Sequence, residues 1–232
     1  LDLEVDNFWV SASHVSSLKV DPDSYGVILT GRTEINNVWY EGILFLILNK
    51  KDEVIDSKWY YFKDGQNSDG YYNHKTKKDS DGGYSVLMGK NNTDTIGFIK
   101  TDGERQLKWS REYKLVLDSD ETVSPVNFFE DSTGYTIGCT IDDPVQDRYF
   151  SPVILKIDNN GNSMWAKKYY NDGFQYEWLT DIIKLVDEST ALASNHFYIL
   201  DKNGEVPGKC EIPVQIAVES KEMILHEANP GT

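Results

Sequence analysis

Apolar and polar residues alternate along this chain in short runs, and each run is broken by a cluster of Asp, Asn and Gly. The clearest example is Ser151–Tyr170, SPVILKIDNNGNSMWAKKYY, where Val153-Ile154-Leu155 leads into Asp158-Asn159-Asn160-Gly161-Asn162 and then an alternating, aromatic end with Trp165. Two strand-forming runs around an Asn-Gly turn predict a β-hairpin. The chain repeats it. Thr95–Tyr113 carries Asp102-Gly103 and Trp109, and Gly42–Phe62 carries Asn49–Asp52 and Trp59. Asn195–Pro213 carries Asn203-Gly204, with Cys210 in the Trp place, and the N-terminal LDLEVDNFWV carries Asp6-Asn7 and Trp9. These markers stand 50, 50, 56 and 45 residues apart. A period in that range is the signature of stacked supersecondary units.

A second, weaker hairpin precedes each of these. Its copies are Leu18–Thr33, Thr76–Asn91, Val126–Thr140, Ile182–Asn195 and Val214–Ala228. One unit is therefore four short strands with three turns. Although Val218–Ala228 has some helical propensity, its match to Ile182–Asn195 makes it a strand pair. Four units are complete or nearly so, and a fifth is split between the two ends of the chain. A lone antiparallel sheet leaves open edges and two faces to cover, and radial repetition solves both. The expected fold is all-β: a single domain over residues 1–232, a five-bladed β-propeller with four-stranded antiparallel blades. The blades fall at 14–62, 63–113, 114–170 and 171–213, and the last, 214–232 with 1–13, is closed by pairing N- and C-terminal strands.

A length of 232 residues suits one large all-β domain. Aromatic content of 12%, with 14 Tyr and 6 Trp, favours strands over helices. No window of about 18 apolar residues occurs, so no membrane span is expected. A net charge of −15 argues against nucleic acid, whose phosphates need clustered Lys and Arg. The two cysteines, Cys139 and Cys210, fall on strands of different depth in their units, so no disulfide is expected. There is no C-x-x-C spacing for a metal, and the four His, at 14, 74, 196 and 226, show no ligand spacing. The Asp/Gly clusters lack the full spacing of a calcium loop and read as hairpin turns. No metal, cofactor or catalytic residue is assigned.

Asp81-Gly82-Gly83-Tyr84 with Gly89, and Lys156-x-Asp158-x-x-Gly161-x-x-x-Trp165, resemble bacterial β-propeller repeats of the form DGGY…G…KxDxxGxxxW. The resemblance covers most of the chain. The Trp place is also similar to the docking Trp of quinoprotein propellers, which locks neighbouring blades. With Cys210 at one such place and only five units, the quinone cofactor is not implied. The blade number is similar to that of tachylectin-type lectins, a likeness of fold alone.

In a propeller, the loops between second and third strands share one face with the blade-to-blade connectors. Long loops on a rigid ring commonly carry function. That face should present Trp39 and Tyr40 from one loop. It should also present Asp69, Tyr71, Tyr72 and His74 from the connector DGYYNH, and Asp172, Phe174, Tyr176 and Trp178 from NDGFQYEW. Aromatic faces beside carboxylates suit sugar rings, and the acidic charge disfavours anionic ligands. The competing explanation is that these aromatics pack connector against blade. The expected function is a lectin-like, non-enzymatic recognition domain, secreted or at the cell surface, a monomer that binds carbohydrate or protein. Two alternatives stand beside it: a small glycoside hydrolase using paired carboxylates, and a purely structural interaction module.

Overall fold

The computed structural model of the protein describes residues 4–5, 8–9, 15–35, 38–62, 70–117, 121–143, 149–169, 178–207 and 214–228; the side chains of 4–21, 32–39, 73–74, 143, 149 and 228 are not described. Every regular element among the described residues is a β-strand, and no helix there is long and apolar enough to cross a membrane. Two short strands come first, β1 (Glu4–Val5) and β2 (Phe8–Trp9). Four antiparallel meanders follow. The first is β3 (Val15–Asp21), β4 (Ser24–Ile35), β5 (Val38–Asn49) and β6 (Val54–Phe62). The second is β7 (Tyr71–Lys78), β8 (Tyr84–Lys90), β9 (Thr95–Thr101) and β10 (Leu107–Leu115). The third is β11 (Thr122–Asp131), β12 (Gly134–Asp143), β13 (Tyr149–Asp158) and β14 (Ser163–Lys168); the fourth is β15 (Asp181–Lys184), β16 (Thr190–Ala193) and β17 (Phe197–Leu200). Consecutive strands of each meander are neighbours in one sheet.

The two ends of the chain depart from expectation. β18 (Val214–Ile216), β19 (Val218–Glu222) and β20 (Leu225–Ala228) are strands, but among the described residues they do not join β1 and β2 in a fifth four-stranded unit. β18 runs antiparallel beside β14, β19 lies beside β10, and β20 runs antiparallel beside β6. At the other end β2 pairs with β4, Phe8 opposite Thr33. Among the described residues the terminal strands β1, β2 and β20 thus sit at opposite ends of one sheet, in the order β1-β2-β4-β5-β6-β20, and do not pair with each other. Open edges explain this. β3 covers β4 only from Ser24 to Leu29, which leaves its far half free for β2, and β6, β10 and β14 each offer a last-strand edge to the tail.

The chain forms two compact units, Leu1–Asn91 with Gly97–Ser110 and Glu222–Thr232, and Asn92–Ile96 with Arg111–Lys221. In the first, Ile43 and Phe45 of β5 point to one side and Leu44 and Leu46 to the other. The former pack with Ile28, Tyr60, Phe62, Tyr84, Val86, Met88 and Ile99, the latter with Leu29 and Trp59. This double cover is why β5 reads as an unbroken apolar run, Gly42–Leu48. In the second unit Ile154 and Tyr169 of the third meander pack with Ile182, Leu192, Tyr198 and Leu200 of the fourth. Cys139 is a free, buried thiol there, pushed up to about 12 by burial.

One kind of turn follows the third strand of each of the first three meanders and the last strand, β17, of the fourth. Asn49, Asp102, Asp158 and Asp201 each accept, on Oδ1, the N–H groups of the residues two and four further on. The residue three further on, Asp52, Arg105, Gly161 or Gly204, returns its N–H to the first residue's carbonyl and has φ of 64°, 63°, 79° or 73°. This is a type I turn closed by a left-handed residue, with the Asx side chain capping the loop. The sequence suggests Asp102-Gly103 as the left-handed pair of its hairpin; the left-handed place belongs instead to Arg105, which bonds Asp56. The first hairpin of the fourth meander puts Glu188 in the same kind of place, φ 64°. Left-handed L-residues carry backbone strain that glycine avoids. Glu188→Gly should therefore raise the unfolding free energy by about 0.5–1 kcal/mol, and Gly161→Ala should lower it by about 1–2 kcal/mol. Urea midpoints at unchanged m-value check both.

A tyrosine stands eleven residues after three of these turn residues, at 60, 113 and 169. All three are buried, at 1%, 0% and 4% exposure. Each donates its hydroxyl to the carbonyl of the left-handed residue in the next meander's turn. Tyr60 reaches Arg105 O at 2.6 Å, Tyr113 reaches Gly161 O at 2.7 Å and Tyr169 reaches Gly204 O at 2.9 Å. Successive meanders are thus pinned turn by turn. The tryptophans follow a different logic. Trp109 and Trp165 lie seven residues after their turn residues, half-buried, whereas Trp59 lies ten after and is 3% exposed. Asp56 holds the seventh place in the first meander, opposite Ile47 as Trp165 is opposite Lys156. Trp9 lies on β2, outside the meanders. The even spacing of 50 residues is not the structural period; the turn residues and tyrosines give it.

Candidate functional site

Side chains on alternate residues of a strand share a face. Tyr40 of β5 therefore lies on the same side as Leu44, and Tyr61 of β6 on the same side as Trp59, so both extend the Leu44–Trp59 core face toward the end of the sheet. Gly42 stands directly opposite Tyr61, and a Cβ there would overlap the Tyr60 carbonyl, so glycine lets the two strands approach. On the far side of β6 the tail strand β20 places His226 opposite Tyr61. The result is a row of three rings. Tyr40 meets Tyr61 edge-on, centroids 5.1 Å apart at 62°, and Tyr61 stacks on His226 at 5.2 Å and 21°. Tyr40 and Tyr61 are half-buried and His226 is exposed. The buried core face below holds the two tyrosines, and hydrogen-bonded strands on both sides hold the backbone. Fixed, partly exposed rings offer apolar flat surface with polar hydroxyl and imidazole tips.

The residues expected from the sequence fall in several places. Tyr40 is in the row. Trp39 is its neighbour on β5, opposite Glu34. Tyr71 packs on Phe62 at 4.8 Å with Lys90 Nζ 5.5 Å above its ring, and burial pushes its hydroxyl well above the usual tyrosine range. Tyr72 stands opposite Gly89 and fills the space that a Cβ there would need. Tyr71 therefore packs against the first meander, and Tyr72 packs within its own, the second. His74 is the extra residue of a β-bulge on β7, between Asn73 opposite Met88 and Lys75 opposite Leu87. Trp178 belongs to the other compact unit, is 47% exposed, and meets Phe150 edge-on at 4.6 Å and 65°. Asp69, Asp172, Phe174 and Tyr176 lie outside the described residues.

Tyr61 and His226 were not legible as site residues. Tyr61 sits in the run KWYYF, where alternation alone puts it with Trp59 and apart from Tyr60. Nothing local could join it to His226, because their contact depends on the long-range pairing of β20 with β6. Among the described residues no group of three or more His, Cys, Asp or Glu side chains could hold a metal ion. Compared with known families, curated proteins and solved structures, the chain matches no family model, no curated protein and no solved structure.

Proposed function

We propose that this is a non-enzymatic recognition protein built from propeller-type blades, acting outside the cell or at its surface, and that it binds neutral carbohydrate. The observation that carries the reading is the row Tyr40–Tyr61–His226, three rings held half-open at one end of a rigid sheet. A sugar ring presents an apolar face and an equatorial rim of hydroxyls, which match such a surface. The net charge of −15 favours uncharged or cationic ligands over sulfated or phosphorylated ones. The four meanders are read as blades; the split terminal blade is not part of the reading, because the tail strands serve as edges of other sheets.

The test is a titration of neutral oligosaccharides, selected on a glycan array, against wild type, Tyr61→Ala and His226→Ala. Both variants should bind roughly tenfold more weakly, and His226→Ala should keep the wild-type melting temperature because its side chain is exposed. A wild type that binds no neutral glycan, or a His226→Ala variant that binds as well as wild type, contradicts the proposal.

A further inference from the structure

Among the four matching turns, the third and fourth carry an Asn-Gly pair, Asn160-Gly161 and Asn203-Gly204. The first two have Lys51-Asp52 and Glu104-Arg105 at those places, with no side-chain amide. Glycine relieves the left-handed φ of the last of these places. It also brings a chemical liability. Where Gly follows Asn, the Gly nitrogen can attack the Asn Cγ. The new N–Cγ bond replaces the Cγ–Nδ2 bond, the side-chain amide leaves as ammonia with the proton from the Gly nitrogen, and a cyclic imide remains. Water then opens the imide at either carbonyl and yields aspartate or isoaspartate.

The folded turn holds the reacting groups out of this step. Asn160 and Asn203 are exposed, but the glycines that follow them are buried. Gly161 N–H donates to the Asp158 carbonyl at 3.0 Å and Gly204 N–H to the Asp201 carbonyl at 2.9 Å, so each attacking nitrogen is aimed into its turn and keeps its proton. The Asn N–H groups are fixed as well, each donating to the Oδ1 of that Asp at 2.8 Å. Each glycine is also held from beyond the turn. The Tyr113 hydroxyl donates to Gly161 O at 2.7 Å and the Tyr169 hydroxyl to Gly204 O at 2.9 Å. At Gly204 the Trp165 ring adds cover, since a Cβ there would lie 2.7 Å from it. Attack therefore waits for the turn to open, and the tyrosine bond sets how often it does.

We propose that Asn160 and Asn203 are deamidation sites gated by the tyrosine pins, each shielded while its turn is closed and released when its own tyrosine lets go. The isoaspartate product adds a methylene to the main chain inside the turn. The turn then no longer brings the glycine carbonyl to its tyrosine, so the reaction unlatches that junction irreversibly. The test ages wild type, Tyr113→Phe and Tyr169→Phe in mildly alkaline buffer, folded and in urea, and follows each asparagine separately by peptide mass spectrometry. Both sites should react at least about tenfold more slowly in the folded wild type than in the unfolded chain. Tyr113→Phe should speed Asn160 roughly fivefold and leave Asn203 at its wild-type rate, and Tyr169→Phe should do the reverse, the factor being that of one lost hydrogen bond. Sites that react as fast in the folded protein as in urea overturn the shielding. Variants that speed neither site, or both sites alike, show that the pins do not set the gate and overturn the proposal as well.

Discussion

Tyr113→Ala should lower the unfolding free energy by about 3–5 kcal/mol, and Tyr113→Phe by about 1 kcal/mol. The first figure is the cost of emptying a fully buried aromatic site. The second separates pinning from filling. If Tyr113 only filled space, phenylalanine would serve as well. Its hydroxyl instead donates to Gly161 O at 2.7 Å inside the protein, and removing it leaves a buried carbonyl short of a partner. Tyr169→Phe should behave alike through Gly204. The same three tyrosines set the alkaline limit. Burial pushes all three hydroxyls well above the ordinary value of 10.0, aided at Tyr60 by Glu227 and at Tyr169 by Glu205 and Asp201. The unfolded chain releases these protons near pH 10 and the folded chain only higher, so their stabilisation is full below that pH and is lost as pH rises beyond it. Chemical denaturation of the wild type from pH 8 to pH 11 reads this directly.

Lys100→Met should cost about 3–5 kcal/mol, the second large effect. Lys100 Nζ bonds Asp79 at 2.6 Å and Asp81 at 2.8 Å, with side chains of Lys100 and Asp79 only 6% and 1% exposed. Removing the ammonium leaves the Asp79 carboxylate buried without its counter-charge. The double change Lys100→Met with Asp79→Leu should lose far less, because an apolar pair of similar volume often replaces a buried ion pair at little cost. The protein already contains that replacement. The fourth meander has Ile199 in the place of Lys100 and Lys156, and Leu185 in the place of Asp79, within a turn that makes the same backbone bonds. Acid should act on these pairs too. Burial raises the Asp131 carboxyl, but Lys156 and Thr133 outweigh it and hold the group below its ordinary 3.8. At Asp81 burial is likewise outweighed, by Lys100 and Lys108. Their contribution is full above about pH 4 and falls as pH drops below it.

Local pattern carried much of this structure. The hairpins, their turns and the order of four meanders follow from alternation and from Asx residues at fixed places. Asp158, for example, is both the polar break in its run and the acceptor that closes the loop. Two features were hidden for physical reasons. Arg105 takes a left-handed conformation that its type does not announce, and it is held there by the Tyr60 hydroxyl and by Asp56. The tail strands carry weak patterns, and their partners are edges left open far away in sequence. That is why an expected fifth unit became single strands beside β6, β10 and β14. The aromatic row was half legible for the same reason. Tyr40 is a residue the sequence points to, although it lies on β5 and not on the expected loop, whereas His226 arrives with the tail.

The tyrosine pins can be observed directly. With tyrosine labelled at the ζ carbon and the protein in equal parts H2O and D2O, a hydroxyl that exchanges slowly gives two resolved carbon lines and a fast one gives a single averaged line. Tyr60, Tyr113 and Tyr169 should each give two lines, because each hydroxyl is buried and donated to a turn carbonyl. A single averaged line from these three residues would show hydroxyls open to solvent and would contradict the pinning of one meander to the next.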